Sequence, residues 1–172
     1  ESEQTEPEVV RLELFTNRFQ TIAQEMGEML RRTALSTNVK ERLDFSCALL
    51  DRDGELVVNA PHIPVHLGAL GICTRKIIET LTIEEGDIVI TNHPAFGGSH
   101  LPDITMIAPV YYKGSLIGFV ANRAHHGEIG GISPGSMPAD AIFLEEEGVV
   151  LEPQLIARKG KVDYTEVERI LL

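Results

Sequence analysis

Apolar residues recur at intervals of three and four positions near the start of the chain, which is the spacing of one helix face. The residues with this spacing are Leu12, Phe15, Phe19, Ile22, Met26 and Met29. We predict one amphipathic helix of roughly 28 residues, about 40 Å long. Thr5 and Glu8 can form its capping box, Pro7 is tolerated in its first turn, and Ser36-Thr37-Asn38 weakens its far end. The polar residues 1–6 should be frayed.

Short apolar runs bounded by turn residues predict a β-hairpin next. Residues 45–50 and 55–59 flank Asp51-Arg52-Asp53-Gly54, whose Asp and Gly residues suit a tight turn. The two prolines of residues 61–64 favour an extended segment. A second amphipathic helix should follow and end near Thr82. Its apolar side consists of Leu67, Leu70, Cys73, Ile77 and Leu81.

A second predicted hairpin joins two polar, glycine-flanked segments. Residues 88–91 form a third strand, and residues 104–112 and 116–122 pair around a turn at Lys113-Gly114. Residues 127–138 contain four glycines and two prolines, which predicts a loop. Because helices combine here with hairpins rather than with regular parallel crossovers, the sequence indicates an α+β or irregular α/β fold.

The last residues predict a helix that begins with a Thr165/Glu168 capping box. The chain starts with Glu1 rather than Met and stops inside this helix. We therefore expect residues 1–172 to be the N-terminal portion of a larger domain.

Charge and composition exclude several classes of partner. The chain has 172 residues, 43% of them hydrophobic, and a formal net charge of −11. Such a chain can bury a core, but it repels nucleic acids and anionic membranes. No apolar run approaches the roughly 20 residues of a membrane span. Cys47 and Cys73 each lie in an apolar run and should be free, buried thiols, which favours the cytoplasm.

The second hairpin predicts a metal site. His100 and Asp103 are three positions apart around Leu101-Pro102, and antiparallel pairing returns His125 to the vicinity of Asp103. Two imidazoles and a carboxylate suit zinc, manganese or iron better than magnesium or calcium. The alternative is that these histidines are solvated or bonded to the backbone.

Four further residues are candidates for the same site. Either Asp44 or His66 can complete the ligand set, and Asp44 ranks above His66 because a carboxylate offsets metal charge. Alternatively, Asp44 pairs with Arg42 or Lys40, and His66 serves in helix capping or packing. His126 and Glu128 can orient a water molecule and take its proton, or they can simply be exposed to solvent. The glycines of residues 127–135 match no nucleotide-binding motif.

Four blocks of the sequence resemble the hydantoinase B/oxoprolinase family. They are TNVKERLDFSCA at 37–48, NAPHIPVHLG at 59–68, GGSHLPD at 97–103 and AHHGEIGGISPGSMP at 124–138. The family includes the B subunits of ATP-dependent N-methylhydantoinases, the corresponding half of 5-oxoprolinase, and related subunits of acetone and acetophenone carboxylases. Where relatives often have Asn-Asp-Pro, this chain has Asn92-His93-Pro94, which places His93 as a neighbour of the site.

The resemblance implies a division of labour. A hydantoinase A-type subunit or domain would bind ATP and magnesium and phosphorylate the substrate, and the present chain would hold a metal, zinc or manganese ahead of iron. His100, Asp103 and His125 resemble the family's ligands, with Asp44 as a further one. The expected partners are the A-type subunit, the remainder of its own subunit and a small cyclic amide, in an oligomer.

The resulting hypothesis is an ATP-dependent amidohydrolase that opens 5-oxoproline or a hydantoin. Three alternatives stay open at this point. A carboxylase of the acetone or acetophenone type would use the same metal site with bicarbonate. A two-His-one-carboxylate iron oxygenase fits the ligand types alone. A non-catalytic interaction module would have purely structural histidines.

Overall fold

A long amphipathic helix, α1 (Glu8–Thr33), opens the part of the chain that this computed structural model describes, namely residues 7–60, 66 and 68–171. The helix stops at Thr33 because Ala34 adopts extended backbone. A separate four-residue helix, α2 (Thr37–Lys40), follows. The long helix therefore ends slightly before Ser36-Thr37-Asn38, the segment predicted to weaken it. Thr5 and the segment expected to fray lie outside the described residues.

The described residues form one seven-stranded sheet in which all neighbouring strands are antiparallel. The strands are β1 (Phe45–Asp51), β2 (Leu56–Ala60), β3 (Ile88–Thr91), β4 (Asp103–Tyr112), β5 (Ser115–His125), β6 (Gln154–Arg158) and β7 (Lys161–Val162). Their order across the sheet is β2-β1-β5-β4-β3-β6-β7. The remaining helices are α3 (Ala69–Thr80), α4 (Leu144–Glu147) and α5 (Thr165–Leu171). Mixed helices and an antiparallel sheet confirm the α+β prediction.

Both predicted hairpins are confirmed, with differences at their ends. Strand β4 already begins at Asp103 and β5 continues to His125, so both candidate ligands are strand residues. The sequence did not predict β6 and β7. The prediction of a Thr165/Glu168 capping box is wrong, because Thr165 is already the first residue of α5 rather than the residue before it. The Asp163 carboxylate accepts the backbone N–H of Thr165 at 3.0 Å. The predicted extended segment at 61–64 lies outside the described residues.

Helix α3 covers one face of the sheet. Its residues Leu70, Cys73 and Ile77 pack against strand residues that alternate along the chain, as expected for one face of a pleated sheet. The strand residues of this core are Ala48, Leu50, Val89, Ile107, Phe119 and Ala121. Toward the start of β4, the residues of this face become polar. The core therefore ends where the candidate site begins.

Helix α1 covers the opposite face beside β1. Met26 and Leu30 pack on Phe45 and Cys47, and Gly27 leaves room for the Phe45 ring. Cys47 and Cys73 are free and buried, as predicted, and burial raises the pKa of their thiols to about 12 and about 11. Among the described residues, no helix has the length and apolar character needed to cross a membrane.

Two glycines of the β4–β5 hairpin provide a matched test of the sheet. A Cβ at Gly118 would overlap the Leu50 carbonyl oxygen of the neighbouring strand, so we expect Gly118→Ala to cost about 3 kcal/mol of local stability. Gly114 needs only its positive φ of 77°, and no atom lies within 4 Å of its Cβ position. Gly114→Ala should therefore cost about 1 kcal/mol. Hydrogen exchange of the β5 amides in the full-length protein measures both; equal effects would contradict the proposed overlap.

Candidate metal centre

Three strand ends meet at one end of the sheet. Asp103, the first residue of β4, lies directly opposite His125, the last residue of β5. On the other side of β5, the Asp44 carbonyl accepts a hydrogen bond from the His125 backbone N–H at 3.0 Å. Directly opposed residues of antiparallel strands place their side chains on the same face. The prediction that the hairpin returns His125 to Asp103 is confirmed.

The Asp103 carboxylate is the centre of this cluster. It is 1% exposed, and its Oδ1 lies 2.8 Å from His125 Nδ1. Its Oδ2 accepts a hydrogen bond from the Ser99 hydroxyl at 2.7 Å and lies 3.3 Å from His100 Nδ1. Burial raises the pKa of this carboxyl, but His66, Ser99 and His125 together lower that pKa by more. The net pKa is well below its usual range, so Asp103 is ionised at neutral pH.

The two imidazoles lie between this buried carboxylate and solvent. The side chain of His100 is 43% exposed and that of His125 is 15% exposed. Their rings meet edge to face, with centroids 6.5 Å apart. A ligand arriving from solvent therefore reaches the imidazoles before it reaches Asp103.

His66 belongs to the site, although the sequence ranked it below Asp44. Its Nε2 lies 3.9 Å from Asp103 Oδ1. Asp44 reaches the cluster through its backbone, and within the described residues its side chain makes no hydrogen bond to the other three candidate ligands. Its role as a ligand stays a prediction.

A buried arginine, which the sequence analysis missed, supports the cluster from the next row of the sheet. Arg123 is fully buried and lies opposite both Ser46 and Thr105. Its Nε donates to the Thr105 hydroxyl at 2.8 Å, and its Nη2 donates to the Gly97 carbonyl at 2.9 Å. The guanidinium thereby ties the loop that contains His100 to the sheet.

Asn92 is a second residue that the sequence analysis missed. It is 1% exposed and joins three segments. Its Nδ2 donates to the carbonyls of Leu101 and Val149 at 2.8 and 2.9 Å, and its Oδ1 accepts from the Leu151 amide at 2.7 Å. These bonds hold the His100 loop against a distant part of the chain. Only the fold reveals this function, because the three partners are dispersed in sequence.

The two predicted proton-transfer residues have different surroundings. Burial, followed by the charge of His125, lowers the pKa of His126, so its imidazole is neutral at pH 7. Glu128 instead organises its own loop: it accepts hydrogen bonds from Ser136 and from the amides of Gly135, Gly130 and Ile129. These bonds lower the pKa of Glu128 to about 2, and the bond from Ser136 makes the largest contribution. The catalytic roles of both residues stay predictions.

His93 has partners outside the cluster. Its Nδ1 accepts a hydrogen bond from the Ala95 amide at 3.0 Å, at the start of a 3-10 turn (Pro94–Phe96). Its Nε2 lies 3.4 Å from Glu152. The part of the structure described here thus gives His93 a loop-capping role next to the site.

The residue types are those that bind a divalent transition metal, but in this structure their side chains contact one another. Within the described ranges, no group of three or more His, Cys, Asp or Glu side chains has the arrangement of a metal site. The Nδ1 atoms of His100 and His125 are instead engaged with the two oxygens of Asp103. Two imidazoles beside an ionised carboxylate are nevertheless the donors that zinc, manganese and iron bind. The fit is one of donor chemistry and proximity.

Comparison with known proteins identifies the family. Residues 8–172 match the family model described as hydantoinase B/oxoprolinase, and the chain belongs to this family. It is 51% identical over 166 residues to 5-oxoprolinase 1 of Arabidopsis thaliana, covering 95% of this chain and 13% of that protein. The chain therefore spans only about an eighth of the length of this relative.

Two solved structures share the fold. One is the ATP-dependent caprolactamase of Pseudomonas jessenii, with a TM-score of 0.83 and 29% identity over 97% of this chain and 29% of that chain. The other is acetone carboxylase in its nucleotide-free state, with a TM-score of 0.86 and 20% identity over 96% of this chain and 22% of that chain. The second likeness is evidence for the fold alone.

The Asn92 junction can be tested with an isosteric variant. Asn92→Asp keeps an acceptor for the Leu151 amide but loses both donors, so we expect local stability to fall by about 2–4 kcal/mol. Hydrogen exchange in the full-length protein should show faster opening of residues 97–103 and 149–151. Asn17→Asp on the exposed side of α1 is the control. Unchanged protection in both segments would contradict the assigned function of Asn92.

Proposed function

We propose that the full-length protein is an ATP-dependent hydrolase that opens a cyclic amide, 5-oxoproline above hydantoins, and that this chain supplies its metal ligands. The observation on which the proposal depends is the convergence of His100 and His125 on Asp103. Sequence identity of 51% to a 5-oxoprolinase supports the choice of substrate. The buried free thiols of Cys47 and Cys73 support a cytoplasmic location.

The proposed ligands are His100, Asp103 and His125, with Asp44 as a further candidate. When bound, a zinc or manganese ion would supply Lewis-acid polarisation of a carbonyl or phosphoryl oxygen. Asp103 contributes a fixed negative charge, because its carboxylate is held ionised in a buried position. The Ser99 hydroxyl donates a hydrogen bond to Asp103 Oδ2 and so restricts rotation of the carboxylate.

His126 is the better candidate for proton transfer. Its lowered pKa leaves the imidazole neutral and able to accept a proton at pH 7. Glu128 has its carboxylate engaged by four donors of its own loop, so we assign it the role of shaping the loop beside His126.

ATP chemistry is proposed to take place elsewhere. The sequence contains no P-loop, and amide resonance makes direct attack on a cyclic amide difficult. A hydantoinase A-type subunit or domain would bind ATP and magnesium and phosphorylate the amide oxygen. The metal ligands of this chain would then receive the activated substrate in an oligomeric assembly.

A carboxylase is the second candidate function, because the fold is also that of acetone carboxylase. Both reactions need an activated substrate near a Lewis acid. They differ in the second co-substrate beside ATP, since carboxylation requires bicarbonate and hydrolysis requires water.

Metal content tests the ligand assignment. We expect about one zinc or manganese ion per full-length chain, by elemental analysis after purification without chelators, and loss of that ion in His100→Ala and His125→Ala. His93→Ala is the matched control, because His93 faces Ala95 and Glu152 rather than Asp103. Equal metal content in all four proteins would refute the assignment.

Turnover tests the reaction. With its A-type partner, the full-length protein should hydrolyse ATP in step with 5-oxoproline, without stimulation by bicarbonate. Asp103→Asn should lower this activity by about 100-fold or more, since losing even an outer partner of a metal site costs 10- to 100-fold. Bicarbonate-dependent consumption of a ketone, with no cyclic amide opened, would favour the carboxylase instead.

A further inference from the structure

A serine and a histidine from separate segments form a buried pair behind Asp103. Ser46 Oγ lies 2.9 Å from His66 Nδ1. Ser46 is fully buried and His66 is 2% exposed. The other ring nitrogen, Nε2, faces Asp103 Oδ1 at 3.9 Å and has no hydrogen-bond partner among the described residues. Neither residue belongs to the proposed ligand set or to the proton-transfer candidates.

The charge of Asp103 selects one tautomer of His66. If Nδ1 carried the only proton, the lone pair of Nε2 would face an ionised carboxylate, which is repulsive. If Nε2 carries the proton, its N–H dipole points toward that carboxylate, and the Ser46 hydroxyl donates to Nδ1. Both contacts are then favourable, as in sites where a hydrogen bond to one ring nitrogen fixes the state of the other.

Metal binding would increase the need for such a contact. Either histidine that bound the ion through Nδ1 would give up its hydrogen bond to Asp103. Ser99 would then still hold Oδ2, and His66 is the group placed to restrain Oδ1. The neighbouring cation Arg123 donates to Thr105 and Gly97, and within the described residues none of its donors forms a hydrogen bond to Asp103.

Packing alone does not account for this histidine. A buried polar nitrogen without a partner costs about 1–3 kcal/mol, and an apolar side chain of similar size would avoid that cost. The cost is understandable if the nitrogen acts on Asp103 when the ion is bound.

We propose that His66 is a positioning residue that fixes the orientation of the Asp103 carboxylate, and that Ser46, by donating to Nδ1, stabilises the His66 tautomer whose N–H points toward that carboxylate. The inference rests on the proposed metal centre. It predicts that both residues set metal affinity without touching the ion. It also predicts that Ser46 acts through His66.

The test is a double-mutant cycle on zinc affinity in the full-length protein, measured by competition with a chelator. We expect His66→Leu to weaken zinc binding by about 10- to 100-fold. Ser46→Ala should weaken it as well, but by less. In the His66→Leu background, Ser46→Ala should have no further effect, because the group through which it acts is gone. Ser46→Thr retains the hydroxyl and should therefore keep wild-type zinc affinity.

A control separates this role from general loss of buried hydroxyls. Thr74 in α3 is fully buried, and its hydroxyl donates to the Leu70 carbonyl at 2.8 Å. Thr74→Val should leave zinc affinity unchanged. If His66→Leu fails to fold, His66→Gln retains an N–H donor near the Nε2 position, and should then bind zinc more tightly than His66→Ala.

The outcomes distinguish two failures. A wild-type protein that binds no zinc or manganese overturns the proposed metal centre and this inference with it. Wild-type zinc binding with affinities within about twofold in His66→Leu and Ser46→Ala overturns only the role of His66. Additive losses in the double variant would show that Ser46 acts independently of His66, and would overturn the tautomer argument.

Discussion

The register of β4 against β5 is the constraint on which the site depends. A slip of one residue would move every side chain of β4 to the other face of the sheet and separate Asp103 from His125. The register is held farther along the same face, where Ile107 lies opposite Ala121 and both pack beneath α3. The apolar core thus positions the polar site: the same alternation that buries Ile107 points Asp103 toward His125 and His66.

Burying charged groups at this end of the sheet costs free energy, and contacts with the surrounding residues offset that cost. An isolated buried ion costs several kcal/mol, so Asp103 stays ionised because His66, Ser99 and His125 stabilise its charge. Arg123 is buried in the next row under the same penalty and has carbonyl and hydroxyl acceptors. A cluster of this kind stabilises the fold little compared with an apolar core. Its fixed charge and fixed orientation are properties that metal binding can use.

Local signals in the sequence were sufficient for the long helix, both hairpins and the meeting of Asp103 with His125, because one turn at Lys113-Gly114 determines that pairing. Strand β6 was missed because it is short and depends on pairing with β3, far away in the chain. Strand β7 was missed because it is a two-residue edge strand that pairs with β6. The ranking of Asp44 above His66 used charge alone, whereas burial and distance place His66 against Asp103. Glu128 was interpreted as a proton-transfer residue from its neighbours in sequence. The hydrogen bonds that define its role come from residues 129–136 of the same loop, which are brought together only in the folded chain.

The three proposed ligands all come from a single continuous stretch, residues 100–125, whereas several of their supports come from elsewhere. His66 and Ser46 precede α3, and the carbonyl and amide partners of Asn92 lie on either side of the hairpin. The ligand set is therefore encoded locally, and its rigidity is encoded by the whole fold. A metal ion held by two imidazoles and a carboxylate would provide the same Lewis acid for hydrolysis as for carboxylation. Residues that distinguish the two reactions would therefore contact the substrate rather than the metal.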